Sequence, residues 1–278
     1  MDASPYYDLS KNMNDLLEYL SGLQAGALAA PGGKPFLHEY RGALSLHFEP
    51  QAIQSRMRRD APDELVLGYT KAMMAFLLFH PAPARIAMIG LGGGSMAKYC
   101  LRYLPAVDFT AIEISPEVIA FRSDFSIPSD SERFRVICGD GADYVRDASN
   151  RVDALIVDGF DASGQPPQLC SQDFYDLCEA KLSDTGVLVT NFWAADVEYG
   201  ACISRLRNSF GNRVVSISSE DPENRIVFAC KGPGFPPPQR DLLRRVRELD
   251  AVHPIDFLST AKSILRRLGK RAGKQAGA

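Results

Sequence analysis

Short apolar runs alternate with helix-compatible stretches through the middle of the chain. Five runs are predicted as strands because each is short, apolar and bounded by glycine or polar residues: "ARIAMIG", "VDFTAIEIS", "FRVICGDG", "VDALIVDGF" and "GVLVTNFW", starting at residues 84, 107, 134, 152 and 186. Helix-compatible segments lie between them, at 95–104, 116–123, 141–148 and 171–182. Strands that alternate with helical connections predict a parallel sheet covered on both faces.

The pattern changes on either side of this region. Residues 36–57, "FLHEYRGALSLHFEPQAIQSRM", alternate in polarity with Gly42 and Pro50 as breaks, which predicts short antiparallel strands. Residues 63–79 carry apolar side chains at helical spacing and predict a helix. Residues 213–232 place two apolar runs around a polar turn, which predicts an antiparallel hairpin.

These patterns divide the chain of 278 residues into three parts. We expect an N-terminal segment with short antiparallel strands at 1–62, a domain built on the parallel sheet at 63–232, and a basic helical tail at 233–278. The net charge is −3, yet residues 231–278 hold 11 Lys or Arg against 4 Asp or Glu. A basic segment can attract nucleic acid or anionic membrane, but a solvated helix with a frayed end is the favoured interpretation. Neither nucleic acid nor membrane is predicted as a partner.

A glycine cluster, "IGLGGGSMAKY" at 89–99, follows the first of the five strands and opens a helix. Glycines let the backbone approach a ligand closely, and a helix N-terminus offers unpaired N–H groups. The cluster lacks the Gly-Lys-Ser/Thr ending of a phosphate-binding Walker loop, and Ser95 stands where GxGxxG has its third glycine. A tight strand-to-helix turn is the alternative interpretation.

Acidic residues stand at the ends of the next three strands. Glu113 ends the second strand, at a distance from the glycines where a carboxylate can accept both ribose hydroxyls of a nucleotide. Asp140 ends the third strand, and the fourth ends in "IVDGFDASGQPPQL", with Asp158 followed by Asp161. Such acids can also simply cap strands and turns, and that alternative stays open for each of them.

Several other classes of protein are disfavoured. The six cysteines form no CxxC pair, and neither a zinc site nor a disulfide framework is predicted; no metal cofactor is expected. No GxSxG elbow is present, so hydrolase chemistry is not indicated. No signal peptide or membrane-length apolar run is visible, and a cytoplasmic protein is expected.

Together these segments resemble the spermidine synthase family, the polyamine aminopropyltransferases built on the class I S-adenosylmethionine-dependent methyltransferase fold. The similarity runs over residues 40–231, through "GALSLHFEPQAIQSRM", "LGYTKAMM", "IGLGGGS", "AIEIS" and "GDGADYV" to "IVDGFDASGQPPQLCSQDFYDLCEAKLSDTGVLV". The resemblance implies an α/β fold with a mostly parallel seven-stranded sheet, a C-terminal antiparallel hairpin and a small N-terminal β-containing segment. It makes the domain at 63–232 a nucleotide-binding, Rossmann-like catalytic domain. It also implies a homodimer or homotetramer.

The resemblance assigns roles to particular residues. Asp158 would be the base that helps to deprotonate the attacking amine, and Asp161 would help to hold the cationic substrate. The co-substrate, decarboxylated S-adenosylmethionine or S-adenosylmethionine, would be bound by residues of the glycine loop, the strand ends and the N-terminal part; these are Gln54, Gly90, Gly92, Gly94, Glu113, Asp140, Gly141 and Asp158. Tyr69 would contact the substrate, and "QPPQL" (165–169) would close over the adenine.

The chain departs from the family pattern on the amine side of the expected site. The family's glycine loop carries an aspartate that contacts the substrate amine, and here that position is Gly93. A family glutamate in the preceding helix is replaced by Lys71, and the proline after the second aspartate by Ala162. A tyrosine expected in the late hairpin has no counterpart, although acidic residues lie near, namely Glu220, Asp221 and Glu223.

Four functions compete on this basis. The first is aminopropyl transfer from decarboxylated S-adenosylmethionine to an amine, which rests on Asp158 and Asp161. The second is methyl transfer from intact S-adenosylmethionine, which Gly93 and Lys71 favour. The third is a nucleotide-binding protein without catalysis. A nicotinamide dehydrogenase is the fourth, and no Tyr-x-x-x-Lys or similar hydride-site constellation accompanies the glycine loop.

Overall fold

A computed structural model describes residues 13–30, 32–147, 149–160 and 164–275. The large sheet has seven strands in the order β6-β5-β4-β7-β8-β10-β9. Its parallel strands are β4 (Arg85–Ile89), β5 (Asp108–Glu113), β6 (Phe134–Cys138), β7 (Val152–Val157) and β8 (Leu182–Trp193). The helices between them are α3 (Ser95–Tyr103), α4 (Pro116–Ala120), α5 (Gly141–Tyr144) and α6 (Gln172–Lys181).

The far edge of this sheet is antiparallel. Helix α7 (Tyr199–Phe210) leads into β9 (Val214–Ser218), and β10 (Asn224–Cys230) inserts between β8 and β9 and pairs antiparallel to both. The predicted fold class is therefore confirmed: five parallel strands are extended by an antiparallel hairpin.

The inner strands of the sheet are buried on both faces, as a parallel sheet requires, whereas the edge strand β6 is largely exposed. Successive residues of β4 illustrate this, because Ile86 and Met88 belong to one apolar cluster whereas Ala87 and Ile89 belong to another. Side chains alternate between the two faces of a strand, so the two clusters lie on opposite sides of the sheet.

A second, smaller sheet precedes the large one. It consists of β1 (Phe36–Tyr40), β2 (Ala43–Glu49) and β3 (Ala52–Arg58) in antiparallel order, with helix α1 (Met13–Ala29) beside it. These are the antiparallel strands predicted for residues 36–57. The division of the chain at residues 62 and 232 stays a prediction.

The helix predicted at 63–79 is shorter and less regular than the sequence suggested. Helix α2 spans Gly68–Met73 and continues as a 3-10 helix over Met74–Leu78. Leu65 is buried in the segment before it, and Leu67 is extended there. Every residue from Met73 to Leu78 is wholly buried. Packing on all sides thus determines the 3-10 conformation of this segment, and it overrides the local preference for an α-helix.

The C-terminal region forms α8 (Gln239–Asp250) and α9 (Phe257–Gln275). One face of α8 is apolar, with Leu242 and Val246 buried, and α9 buries Phe257 and Ile264. These side chains join the apolar cluster that covers one face of the sheet. In the chain as described, no helix combines the length and apolar character of a membrane span.

Candidate functional site

A cavity of about 1250 Å³ opens at the carboxyl ends of the parallel strands. Parallel strands end at one edge of a sheet, so residues far apart in sequence meet there. The small sheet, helix α2 and the β9–β10 turn complete its wall. The predicted site residues that line it are Gln54, Tyr69, Gly90, Gly92, Glu113, Asp140, Gly141 and Asp158. Gly94 is not among the lining residues, and Asp161 lies outside the described residues.

The glycine loop joins β4 to α3 with three residues in the left-handed region. The φ angles of Gly90, Gly92 and Gly94 are 96°, 51° and 63°, a conformation that side chains other than glycine's rarely adopt. Gly94 caps the N-terminus of α3, and a Cβ there would lie 2.6 Å from Ile127. Gly94 therefore allows the loop to pack against Ile127, away from the cavity, whereas Gly90 and Gly92 line the cavity.

Gly93 has no room for a side chain. A Cβ on this residue would lie 2.6 Å from the ring of Phe125 and 2.7 Å from Ser55 Oγ. The aspartate that the family pattern places here could not be accommodated without moving these neighbours. Its absence is thus built into the packing around the loop.

Glu113 ends β5 beside the glycine loop and is 8% exposed. One carboxylate oxygen accepts a hydrogen bond from the backbone N–H of Leu91 and the other from that of Ser115, both at 2.9 Å. These bonds fix the carboxylate in the cavity wall. Because each oxygen has more than one lone pair, the group can still accept hydroxyl donors from a ligand.

Asp140 caps the short helix α5. Its Oδ1 accepts from the backbone N–H of Ala142 at 2.7 Å. Gly141 follows, and a Cβ there would lie 2.3 Å from a methyl group of Ile89. Glycine at this position therefore lets α5 pack against the end of β4, which brings Asp140 into the cavity wall.

Asp158 directly follows β7, the middle strand in the sheet order, and lines the cavity. Burial raises the pKa of its carboxyl from an ordinary 3.8 to about 6. Hydrogen bonds from Asn191 and Tyr69 act in the opposite direction on this pKa, because they favour the charged form. The result is a carboxylate that changes charge close to neutral pH.

Asn191 holds Asp158 in place, and sequence reasoning missed it. It lies in β8, is 2% exposed, and donates from Nδ2 to Asp158 Oδ1 at 3.1 Å. Asn224, at the start of β10, donates in turn to Asn191 Oδ1 at 3.0 Å. The available signal was a polar residue inside the apolar run "GVLVTNFW", since a buried amide needs polar partners.

Tyr69 and Gln54 bring the small sheet to the same cavity. The Tyr69 hydroxyl also reaches the carbonyl oxygen of Gln54 on β3, at 3.5 Å. The Tyr69 backbone N–H donates to Asp221 Oδ2 at 2.8 Å, which ties helix α2 to the β9–β10 turn. The ring of Phe160 stacks on that of Trp193 with centroids 5.6 Å apart, and both residues line the cavity.

The cavity wall is strongly acidic. Six carboxylates line it, supplied by Glu113, Asp140, Asp158, Glu220, Asp221 and Glu223. Lys71 is the sole Lys or Arg in that wall as far as the chain is described. The three acids that the sequence placed near the site, in the hairpin turn, are thus all part of it. A cavity of this kind attracts cations and accepts hydroxyl and amine donors.

Comparison with known proteins places the chain in a family. The model of the spermine/spermidine synthase domain matches residues 67–205. The polyamine aminopropyltransferase of Chromobacterium violaceum is 39% identical over 214 residues, which cover 77% of this chain and 82% of that protein. The polyamine aminopropyltransferase of Neisseria meningitidis serogroup A is also 39% identical, over 215 residues, with the same coverage.

Solved structures support the fold. A spermidine synthase in complex with the transition state analogue AdoDATO superposes with a TM-score of 0.66 at 19% identity, covering 84% of this chain and 82% of that one. Human methyltransferase-like protein 13 in complex with SAH gives 0.61 at 23% identity, with 67% and 92% covered. At these identities the likeness concerns the fold alone. The sequence matches go further, and the chain belongs to the spermine/spermidine synthase family of transferases.

Proposed function

We propose that this chain transfers an aminopropyl group from decarboxylated S-adenosylmethionine to an amine, with Asp158 as the general base. The observation that carries the proposal is Asp158 itself, a carboxylate in the wall of an acidic cavity whose pKa burial raises to about 6. A base with a pKa near the working pH is both ionised and able to take up a proton.

The chemistry requires such a base. An amine attacks the propyl carbon next to a sulfonium only when its nitrogen lone pair is free, and most amines are protonated at neutral pH. Asp158 accepts the proton as the nitrogen–carbon bond forms. The carbon–sulfur bond breaks, and its electron pair stays on sulfur, which leaves as neutral methylthioadenosine. Asn191 and Tyr69 keep the carboxylate oriented during this transfer.

The nucleoside fits the other end of the cavity. Glu113 stands fixed by two backbone N–H groups and accepts the ribose hydroxyls. Asp140 uses one oxygen to cap α5, which leaves the second to accept from the adenine amino group in this proposal. Gly90 and Gly92 give the nucleoside close access to the backbone of the loop. Asp161, in the segment after Asp158, is proposed to help hold the amine.

Methyl transfer from intact S-adenosylmethionine is the second candidate. The observation in its favour is Gly93, because no carboxylate stands in the glycine loop to pair with the substrate amine that aminopropyl transfer requires. Against it stands the acidic wall, which disfavours the additional carboxylate of the intact donor.

Calorimetric titration with intact and decarboxylated S-adenosylmethionine separates the two candidates, since these nucleosides differ by one carboxylate. Aminopropyl transfer predicts tighter binding of the decarboxylated form by about tenfold or more, equivalent to about 1.4 kcal/mol, together with binding of methylthioadenosine. Glu113→Gln should weaken all three ligands equally, because they share the ribose, whereas the exposed Glu117→Gln should weaken none. Tighter binding of the intact form favours methyl transfer, and binding of none contradicts both.

Asn191 provides a test of how Asp158 is tuned. Asn191→Ala removes a donor that favours the charged carboxylate, so the pKa of Asp158 should rise further above 6. We expect the acidic limb of the kcat/KM profile to shift upward by about one pH unit, the equivalent of one charge-assisted hydrogen bond. Asn208→Ala, on the exposed surface of α7, is the matched control. An unmoved limb would show that Asn191 does not act on Asp158.

A further inference from the structure

Lys71 introduces a positive charge into an otherwise acidic wall. It is half-buried in α2 and lines the cavity. The structure gives its side chain no ion pair or hydrogen bond with any residue that it describes. An unpaired lysine in a ligand cavity is available to an anionic group of the ligand.

Lys71 lies at the end of the cavity formed by the hairpin turn. It is three residues after Gly68 and therefore shares a helix face with it. A Cβ on Gly68 would lie 3.1 Å from Glu220 Oε2 and 3.1 Å from Asp221 Oδ2. Glu220 and Glu223, like Lys71, have no ion pair or side-chain hydrogen bond within the described chain. One end of the cavity thus presents unpaired charges of both signs.

This end is separate from the nucleoside end. Glu113 ends β5 and Asp140 follows β6, on one side of β4, whereas the hairpin turn follows β9 on the opposite side of the sheet order. Asp158, after β7, stands between them. A molecule bound at the hairpin end therefore approaches Asp158 from the side opposite the nucleoside, which is the position of the acceptor.

We propose that the acceptor carries a carboxylate as well as its amines, so that it belongs to the class of diamino acids. Lys71 binds the carboxylate, and Glu220 and Glu223 attract a cationic amine of the same molecule. A plain diamine would bring a second positive charge to the end of the cavity that holds Lys71 and would offer Lys71 no anion in return. This inference rests on the proposed aminopropyl transfer. The bonds formed and broken are the same, with Asp158 taking the proton of the attacking nitrogen.

The test uses two acceptors that differ by one carboxylate, namely putrescine and ornithine, with ornithine methyl ester as a third in which the carboxylate is masked. Release of methylthioadenosine from decarboxylated S-adenosylmethionine is measured, and the product is identified by mass. We expect kcat/KM for ornithine to exceed those for putrescine and the ester by about tenfold or more, the effect of one charge-assisted contact.

The variants link this preference to Lys71. Lys71→Gln should bring the three acceptors within about threefold of one another, chiefly through a higher KM for ornithine, and Lys71→Glu should reverse the order. Lys262→Gln, an exposed substitution on α9, should retain the wild-type preference. These expectations concern the ratios of kcat/KM between acceptors within one variant. A general loss of activity in a variant would lower all three values and would leave the ratios unchanged.

Failure of this inference is distinguishable from failure of the proposed function. Turnover of putrescine at or above the rate of ornithine, with methylthioadenosine released, overturns the diamino acid acceptor and leaves aminopropyl transfer intact. An ornithine preference that persists in Lys71→Gln overturns the role of Lys71. If Lys71→Gln instead weakens binding of intact S-adenosylmethionine alone, the lysine serves a donor carboxylate. Absence of methylthioadenosine with every amine overturns the function as well.

Discussion

Asp158→Asn is expected to lower kcat by about 10²- to 10⁴-fold, the range that a positioned general base contributes. The asparagine amide has nearly the same shape and can still accept from Asn191, so the cavity keeps its form. It cannot take up a proton. Binding of methylthioadenosine should therefore change little while turnover collapses, and a single-turnover measurement with saturating decarboxylated S-adenosylmethionine separates the two effects.

The pH dependence of the wild-type protein follows from the same carboxyl. Its pKa is raised to about 6, so the carboxyl is ionised above that pH and protonated below it. We expect kcat/KM to fall as the pH drops through 6, about tenfold for each further unit. This limb should be absent from the residual activity of Asp158→Asn. Asp173→Asn, at the exposed start of α6, should keep both the rate and the limb.

Asp158→Asn should also stabilise the folded protein. A carboxyl whose pKa is higher in the folded than in the unfolded state disfavours folding once it is ionised, and does not do so below its unfolded pKa of 3.8. The penalty grows between pH 4 and 6 and is constant above. Asp158→Asn should therefore raise the free energy of unfolding at pH 8 by up to about 3 kcal/mol, because each unit of difference between the folded and unfolded pKa corresponds to about 1.4 kcal/mol. The increase should be much smaller at pH 4.5.

Urea unfolding at the two pH values measures this difference. A variant that is inactive and more stable at pH 8 indicates a carboxylate kept for chemistry at the expense of stability. A variant that is inactive and less stable would mean that Asp158 organises the strand ends, and the assignment as a base would lose its support.

The acidic strand ends could be predicted from the sequence because each strand is recognised from its own short apolar run and the acid stands at the end of that run. Apolar runs separated by helical stretches fix a parallel sheet, and parallel strands finish at one edge. Glu113, Asp140 and Asp158 therefore had to lie near one another, and the cavity brings all three into one wall. Their separate roles, however, depend on burial and hydrogen bonds that no spacing reveals.

The remaining features depend on tertiary contacts. Asn191 faces Asp158 only because β8 pairs with β7 in a particular register, with Ile156 opposite Val189. The 3-10 turn after Met73 arises from burial on every side, where helical periodicity gives no signal. The hairpin acids reach the cavity because Asp221 accepts from the backbone of Tyr69, a residue 152 positions earlier.

Gly90→Ala is expected to destabilise the protein by about 4 kcal/mol or more, at the upper end of what single substitutions cause. A Cβ there would lie 2.3 Å from the carbonyl oxygen of Asp158, in a backbone conformation with φ of 96°. Neither the backbone at Gly90 nor the backbone at Asp158 can move away easily. The Gly90 N–H donates to Ile112 at 2.8 Å, and the Asp158 N–H donates to Ile89 at 2.9 Å, so strand pairing holds both groups.

Gly92→Ala is the matched control, because it shares the left-handed backbone but not the collision. Its φ is 51°, and the nearest atom to a new Cβ is Ser55 Cβ at 3.5 Å, an ordinary contact. We expect it to cost about 1 to 2 kcal/mol, the strain of a left-handed residue alone. Urea unfolding of both variants measures the difference, and methylthioadenosine titration should show a larger loss for Gly90→Ala. Equal costs would mean that the close approach of the glycine loop to Asp158 contributes nothing. A larger cost at Gly90 would show that one glycine sets the distance between the glycine loop and Asp158, since any residue with a side chain must push the two strand ends apart.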